Sequence, residues 1–130
     1  MIYLDSSVCV YLMEDYGDLT DVVEQLMREH PNEFCASALV RMECLIKPLR
    51  DADIALESSY RRFFESLPVI DITAAVFERA TRLRASTGLK TPDALHLATA
   101  VEGGCEALWT GDADLAKRSN GYAVNVFAGL

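Results

Sequence analysis

Four acidic residues stand where a carboxylate can do chemistry. Asp5 closes the apolar run Ile2-Tyr3-Leu4 and is followed by two hydroxyls, Ser6 and Ser7. Asp112 follows a second apolar run, Ala107 to Thr110, across Gly111, with Asp114 two residues on. Asp93 is the second residue after Thr91, and Glu43 lies midway along an apolar stretch that starts after Ser37. In open α/β sheets the ligand crevice lies beyond the carboxyl ends of the strands. Asp5 and Asp112 fall at its rim, and an acid in the first turn of a helix faces the same way. Four carboxylates in one crevice cannot all stay ionised unless a positive charge joins them. Hard oxygen donors select Mg²⁺ or Mn²⁺. Such ions serve phosphoryl transfer by activating water and stabilising the leaving oxygen.

Each acid also has a plain structural role. Asp is a preferred N-cap, so Asp5, Asp112 and Asp114 can cap the helices that follow them. Asp93 is favoured by the helix dipole. Glu43 can be an ordinary boundary glutamate whose head reaches water. Residue by residue these roles stay open. The set of four is what points to chemistry.

The elements that must position these acids alternate along the chain. Residues 2–4 read as a strand covered on both faces, as in a parallel sheet. Residues 8–16 read as a short helix, broken by Gly17. Leu19, Val22, Val23, Leu26 and Met27 recur at helical spacing, which predicts a second helix from Asp18 or Thr20 to near His30-Pro31. A brief strand at 34–36 leads into Ser37, a natural N-cap for a helix over 38–47 that Pro48 stops. Its apolar face is read as Ala38, Leu39, Met42, Leu45, Ile46 and Leu49, with Glu43 one step outside.

An amphipathic helix over 51–67, a strand at 69–72 and a long helix from Thr73 to residue 85 or 86 come next. Gly88 stops the long helix. Thr91 is the expected cap, and Pro92 the first residue, of a helix through Glu102. A strand at 107–110, a short helix over 112–117 and an edge strand at 124–126 complete the order. Alternation of strands and helices predicts a three-layer α/β/α sandwich with a mainly parallel central sheet, one domain over 1–130.

The chain has 130 residues and a net charge of −8. A general nucleic-acid binder is expected to be basic, so non-specific duplex binding is disfavoured. The acids are either gathered in a pocket where cations offset them or spread over a surface that suits a basic partner. Cys9, Cys35, Cys44 and Cys105 form no C-x-x-C pair and read as buried thiols of a reduced, cytoplasmic protein. No apolar run approaches bilayer length and no signal peptide is visible, so no membrane partner is expected.

The segments IYLDSS (2–7), SALVRMEC (37–44), KTPDALHLATA (90–100) and LWTGDADL (108–115) resemble, in order and spacing, those of the PIN domain. Within it they are most similar to the toxin ribonucleases of VapBC toxin–antitoxin pairs. Carried over by position, Asp5, Glu43, Asp93 and Asp112 match that family's acidic quartet. Ser6 matches the hydroxyl after the first acid and Thr110 the frequent Thr or Ser before the last. Asp114 matches a position that is often acidic. Gly111 departs from the larger polar residue of many members. The resemblance implies a Mg²⁺- or Mn²⁺-dependent endoribonuclease. Asp5 and Asp112 would hold the metal, with Asp93 and Glu43 completing the site directly or through water. His96, one turn beyond Asp93, is expected to support the site rather than act in catalysis.

RNA backbone must also be held. Arg41, Lys47 and Arg50 near Glu43, and Arg79, Arg82, Arg84 and Lys90 ahead of Asp93, are the cations available. Arg41, Lys47, Arg84 and Lys90 are the candidates, against the reading of ordinary solvated faces. The resemblance further implies a VapB-like antitoxin, in a homodimer or a toxin–antitoxin hetero-oligomer. The helical runs 8–12 and 54–64 carry large apolar residues that, if exposed, would form a groove for an amphipathic helix. The groove would be lined by Tyr11, Leu12, Phe63 and Phe64, with core or homodimer burial as the competing reading. Two alternatives to the nuclease remain: a catalytically silent binding module on this fold, and another phosphoryl-transfer domain with an acidic pocket. A receiver-type phosphoacceptor would want two acids after the first strand and a Lys after a late one, and neither is present.

Overall fold

The computed structural model describes residues 1–130. The elements run β1 (Ile2–Leu4), α1 (Ser6–Met13), α2 (Asp18–Glu29), β2 (Phe34–Ser37), α3 (Ala38–Arg50), α4 (Ile54–Glu65), β3 (Val69–Ile70), α5 (Ala74–Thr87), α6 (Thr91–Glu102), β4 (Ala107–Thr110), α7 (Ala113–Arg118) and β5 (Ala123–Asn125). The five strands form one sheet in the order β3-β2-β1-β4-β5. Every pairing is parallel. The helices cover the sheet, as the alternation predicts.

Strand order reverses at the centre. From β1 the chain steps outward to β2 and β3, then returns to place β4 on the other side of β1. Leu4 pairs with Trp109 in the last register position, and the Asp5 amide donates to the Trp109 carbonyl at 3.1 Å. The carboxyl ends of β1 and β4 are therefore level, and the crevice of an open α/β sheet opens between two such ends.

β1, β2 and most of β4 are buried, and they anchor a core that includes Tyr3, Leu4, Val8, Val40, Tyr60, Leu89, Leu97, Leu108 and Leu115. Tyr60, fully buried, sends its hydroxyl to Glu14 Oε2 at 2.6 Å, while Lys47 reaches Oε1 of the same glutamate at 2.7 Å. That glutamate ties the end of α1 to α3 and α4. All four cysteines are buried and free. No helix is long and apolar enough to cross a membrane.

Several boundaries differ from the sequence expectation for identifiable reasons. Pro48 does not stop α3, which continues to Arg50. A helical proline removes its own donor and crowds the carbonyl four residues back, yet the hydrogen bonds of the next turn still form: the Asp51 amide reaches the Lys47 carbonyl at 3.0 Å. Thr91 does not cap α6. It is the first helical residue, and the cap position falls on Lys90 with no side-chain bond. The strand at 69–72 shortens to Val69–Ile70.

The apolar face of α3 is also different. Val40, Cys44, Leu45 and Pro48 are the buried residues. Met42, Ile46 and Leu49 are 55%, 53% and 54% exposed, and Ile54 at the start of α4 is 79% exposed. Two apolar rows compete on this helix, and packing on the sheet took the one centred on Val40 and Cys44. The expected groove between 8–12 and 54–64 is mostly filled. Phe64 is buried, and Tyr11, Leu12 and Phe63 pack partly buried against the core.

Candidate active site

Asp5 is the N-cap of α1. Its Oδ1 accepts from the Val8 amide at 3.3 Å and from the Ser7 hydroxyl at 2.5 Å. The Ser7 oxygen in turn accepts from the Gly111 amide at 2.9 Å, so one hydroxyl joins the ends of β1 and β4. Asp5 is only 6% exposed. Burial pushes its carboxyl above the ordinary value, against the pull of the Ser7 and Thr110 hydroxyls, the His96 imidazole and the Val8 amide. Ser6, expected as the supporting hydroxyl, makes no bond to Asp5 through its side chain. Its carbonyl receives the Cys44 thiol at 4.0 Å.

Asp112 caps α7 in the open. Its Oδ1 accepts from the amides of Asp114 and Leu115 at 2.9 and 3.3 Å. Its own amide donates to Thr110 Oγ1 at 2.9 Å. Thr110 is fully buried between the two strand-end acids. Asp114 is paired with Arg118 Nε at 2.9 Å. Gly111 has a local reason to be small. A Cβ there would meet Tyr11, Phe127 and the Ser7 hydroxyl at 3.2, 3.3 and 3.3 Å.

Asp93 sits in the first turn of α6. Its carboxyl is raised above the ordinary value by burial and then by the charge of Asp112, with further contributions from Asp5 and Glu43. His96 acts the other way. Of the other three acids, Asp112 acts on Asp93 most strongly, and Asp5 and Glu43 less. The loop that delivers Asp93 is pinned. Arg84 donates to the Leu89 carbonyl at 2.9 Å and to Thr91 Oγ1 at 3.1 Å, and Arg118 Nη1 donates to the Thr87 carbonyl at 2.7 Å. Leu89 between them is buried.

Glu43 is half-buried on α3, with Oε1 at 2.7 Å from His96 Nε2. His96 Nδ1 lies 2.7 Å from the Tyr3 hydroxyl, which lies 2.7 Å from Ser37 Oγ. Tyr3 lies in β1 two residues before Asp5, so these hydrogen bonds run below the carboxyl end of that strand.

The protein's hydrogen bonds go to one oxygen of each acid that accepts any: Oδ1 of Asp5, Oε1 of Glu43 and Oδ1 of Asp112. The donor set is all oxygen, the type Mg²⁺ and Mn²⁺ select. No three acidic, His or Cys side chains are placed to hold a metal ion between them, so a hard ion here would take one or two carboxylates directly and keep its waters.

Of the cations expected to hold RNA, Lys47 is paired with Glu14 and Arg84 is spent on the loop before Asp93. Arg41 and Lys90 carry no ion pair. The sequence reading missed Tyr3, Ser7 and Arg118. The two-residue spacing of Tyr3 from Asp5 was the available signal for the first. An arginine bound to backbone carbonyls leaves no trace in sequence.

The sequence matches the PIN domain over residues 2–120. The chain belongs to the PIN domain family. Among solved structures, this PIN domain is similar to a toxin–antitoxin complex from Klebsiella pneumoniae, at 23% identity over 98% of each chain with a TM-score of 0.82. It is similar to Mycobacterium tuberculosis VapC20, described as a sarcin–ricin loop cleaving toxin, at 18% identity over 96% of this chain and 98% of that one, TM-score 0.79. A third is VapBC2 from Rickettsia felis, bound to a fragment of its promoter DNA, at 22% identity over 91% and 92%, TM-score 0.73. At these identities the likeness is one of fold. Compared with curated proteins, the sequence matches none.

Proposed function

We propose that this PIN domain is a Mg²⁺- or Mn²⁺-dependent endoribonuclease, the toxin of a VapBC-type pair acting in the cytoplasm. The observation that carries the reading is the electrostatic convergence of Asp5, Glu43, Asp93 and Asp112, expressed at Asp93 as a raised carboxyl with the other three acids among its causes. A cluster of that sign invites a cation. A divalent ion bound there would activate water and stabilise the leaving oxygen of a phosphodiester.

The chain's own residues do the rest. Ser7 and the Val8 amide hold Asp5 by one oxygen, the α7 amides hold Asp112 by one oxygen, and His96 holds Glu43 by one oxygen. The second oxygens of Glu43 and Asp112 accept no bond from the protein. Arg41 and Lys90, without ion-pair partners, are the cations proposed to meet RNA phosphates. The solved relatives that are toxin–antitoxin complexes support a VapB-like antitoxin as partner. Uncovered apolar surface marks a protein contact, and Met42, Ile46 and Leu49 on α3 and Ile54 at the start of α4 are exposed. The silent binding module is the weaker reading, because it gives no use for four acids held at mutual repulsion.

The test is cleavage of a structured RNA with Mg²⁺ or with chelator, followed by analysis of the product ends. We expect cation-dependent cuts that leave 5′-phosphate and 3′-hydroxyl. A 2′,3′-cyclic phosphate would mean that the neighbouring hydroxyl attacks, and the metal-assisted hydrolysis would be wrong.

A further inference from the structure

We infer that Ser37, Tyr3 and His96 form one directed hydrogen-bond chain whose purpose is to present an Nε2–H to Glu43 and hold that carboxylate in a single orientation. Tyr3 and His96 thereby become positioning residues of the crevice. The inference rests on the reading of Glu43 as a member of the cation site.

The direction follows from donors and acceptors. A glutamate carboxylate only accepts. With His96 Nε2 at 2.7 Å from Glu43 Oε1, the proton belongs on Nε2. In a singly protonated ring Nδ1 is then an acceptor, and the Tyr3 hydroxyl at 2.7 Å must donate to it. The phenol has one proton to give. One proton cannot serve two neighbours, so Ser37 donates to Tyr3 across 2.7 Å. Ser37 Oγ also accepts from the Val40 amide at 3.2 Å, as the N-cap of α3. Every member is satisfied, and no buried side-chain nitrogen or oxygen is left without a partner. The reverse ring tautomer would set two acceptors face to face at the Glu43 contact.

The chain starts at the cap of α3, crosses β1 and α6, and returns to α3 at Glu43, less than two turns on. Tyr3 and Ser37 are fully buried and His96 nearly so, so its members have little room to move. A glutamate held this way has already lost the rotamer freedom that binding a cation would otherwise remove. Partners that orient a metal's ligands typically change its affinity by about 10–100-fold.

The experiment uses the full chain. ¹⁵N NMR of the metal-free protein locates the imidazole proton of His96; the other histidine, His30, is assigned by His30→Gln. We expect His96 protonated at Nε2, exchanging slowly with water in the wild type and faster in Tyr3→Phe. In parallel, calorimetry measures Mn²⁺ binding. His96→Leu and Tyr3→Phe should bind about 10-fold more weakly or worse. His96→Gln, whose amide places a donor near the position of Nε2, should return to within a few-fold of wild type. A bare Nε2 would overturn the proposal, and so would undiminished Mn²⁺ binding by a folded His96→Leu. If the wild type binds no Mn²⁺ while Nε2 carries its slow proton, the cation site falls and the hold on Glu43 stands.

Discussion

Asp53 caps α4 in open solvent, and Asp5 caps α1 inside the crevice. Each accepts from the amide three residues on. Asp53 Oδ1 accepts from the Leu56 amide at 3.1 Å, and Asp5 Oδ1 from the Val8 amide at 3.3 Å. The surroundings are opposite. Asp53 is exposed. Asp5 is 6% exposed, next to Thr110 and Ser7, and burial works against its ionised form. An N-cap needs a short side chain with an acceptor, and Asn or Ser serves as well as Asp. Capping therefore accounts for Asp53 completely and for Asp5 only in part. A carboxyl placed where burial works against its ionised form has a use beyond the cap.

The largest effect should separate these two regions by activity. Asp93→Asn or Asp5→Asn keeps shape and polar contacts but removes a carboxyl from the proposed cation site. Metal stabilisation of such reactions is worth several kcal/mol, so RNA cleavage should fall on the order of a thousandfold. Asp53→Asn should leave cleavage unchanged. Equal loss in both would place the effect in folding rather than in the crevice.

A smaller effect should come from the link between the two strand ends. Ser7→Ala removes a hydrogen bond to a buried carboxylate and strands the Gly111 amide. Bonds of this kind contribute roughly 1.5–3 kcal/mol. Denaturant unfolding should show a loss in that range. A neutral result would mean that Ser7 does not couple β1 to β4.

Acidity offers a subtler contrast. The Asp93 carboxyl is raised in the fold above its ordinary value of 3.8. The folded state therefore holds that proton more tightly than the unfolded chain. The stability this group supplies is complete below the ordinary value and is lost as pH rises through the raised one. In chelator, the wild type should lose ground to Asp93→Asn as pH rises from the ordinary carboxylate range toward neutrality. Parallel melting curves across that range would contradict the shared field of the four acids.

Much of this site could be read from sequence because its residues also obey local rules. Asp5 ends an apolar strand, Ser37 caps a helix, and Pro92 lies in the first turn of one, and each leaves a short-range signature. The errors arose where two local rules competed or where the deciding contact was distant. α3 carries two apolar rows, Val40-Cys44-Pro48 and Met42-Ile46-Leu49, and only packing on the sheet chooses between them. Thr91 looked like a cap, but Arg84 takes its hydroxyl. Ser7, not Ser6, reaches Asp5, because the pair is decided by the turn into α1 and by the Gly111 amide from a strand 104 residues away. The bond between Glu43 and His96 spans 53 residues and no short pattern announces it.

The most direct measurement is the thermal melting of the wild type and Asp93→Asn, each in chelator and in Mn²⁺. Four acids that share one field at a cost, relieved by a cation, require two results together. In chelator Asp93→Asn melts higher than the wild type, because repulsion and buried charge are reduced. With Mn²⁺ the wild type rises, as binding to the folded state demands, and the variant rises much less. An Asp93→Asn protein that melts lower in chelator, and responds to Mn²⁺ as fully as the wild type, would contradict the cation site.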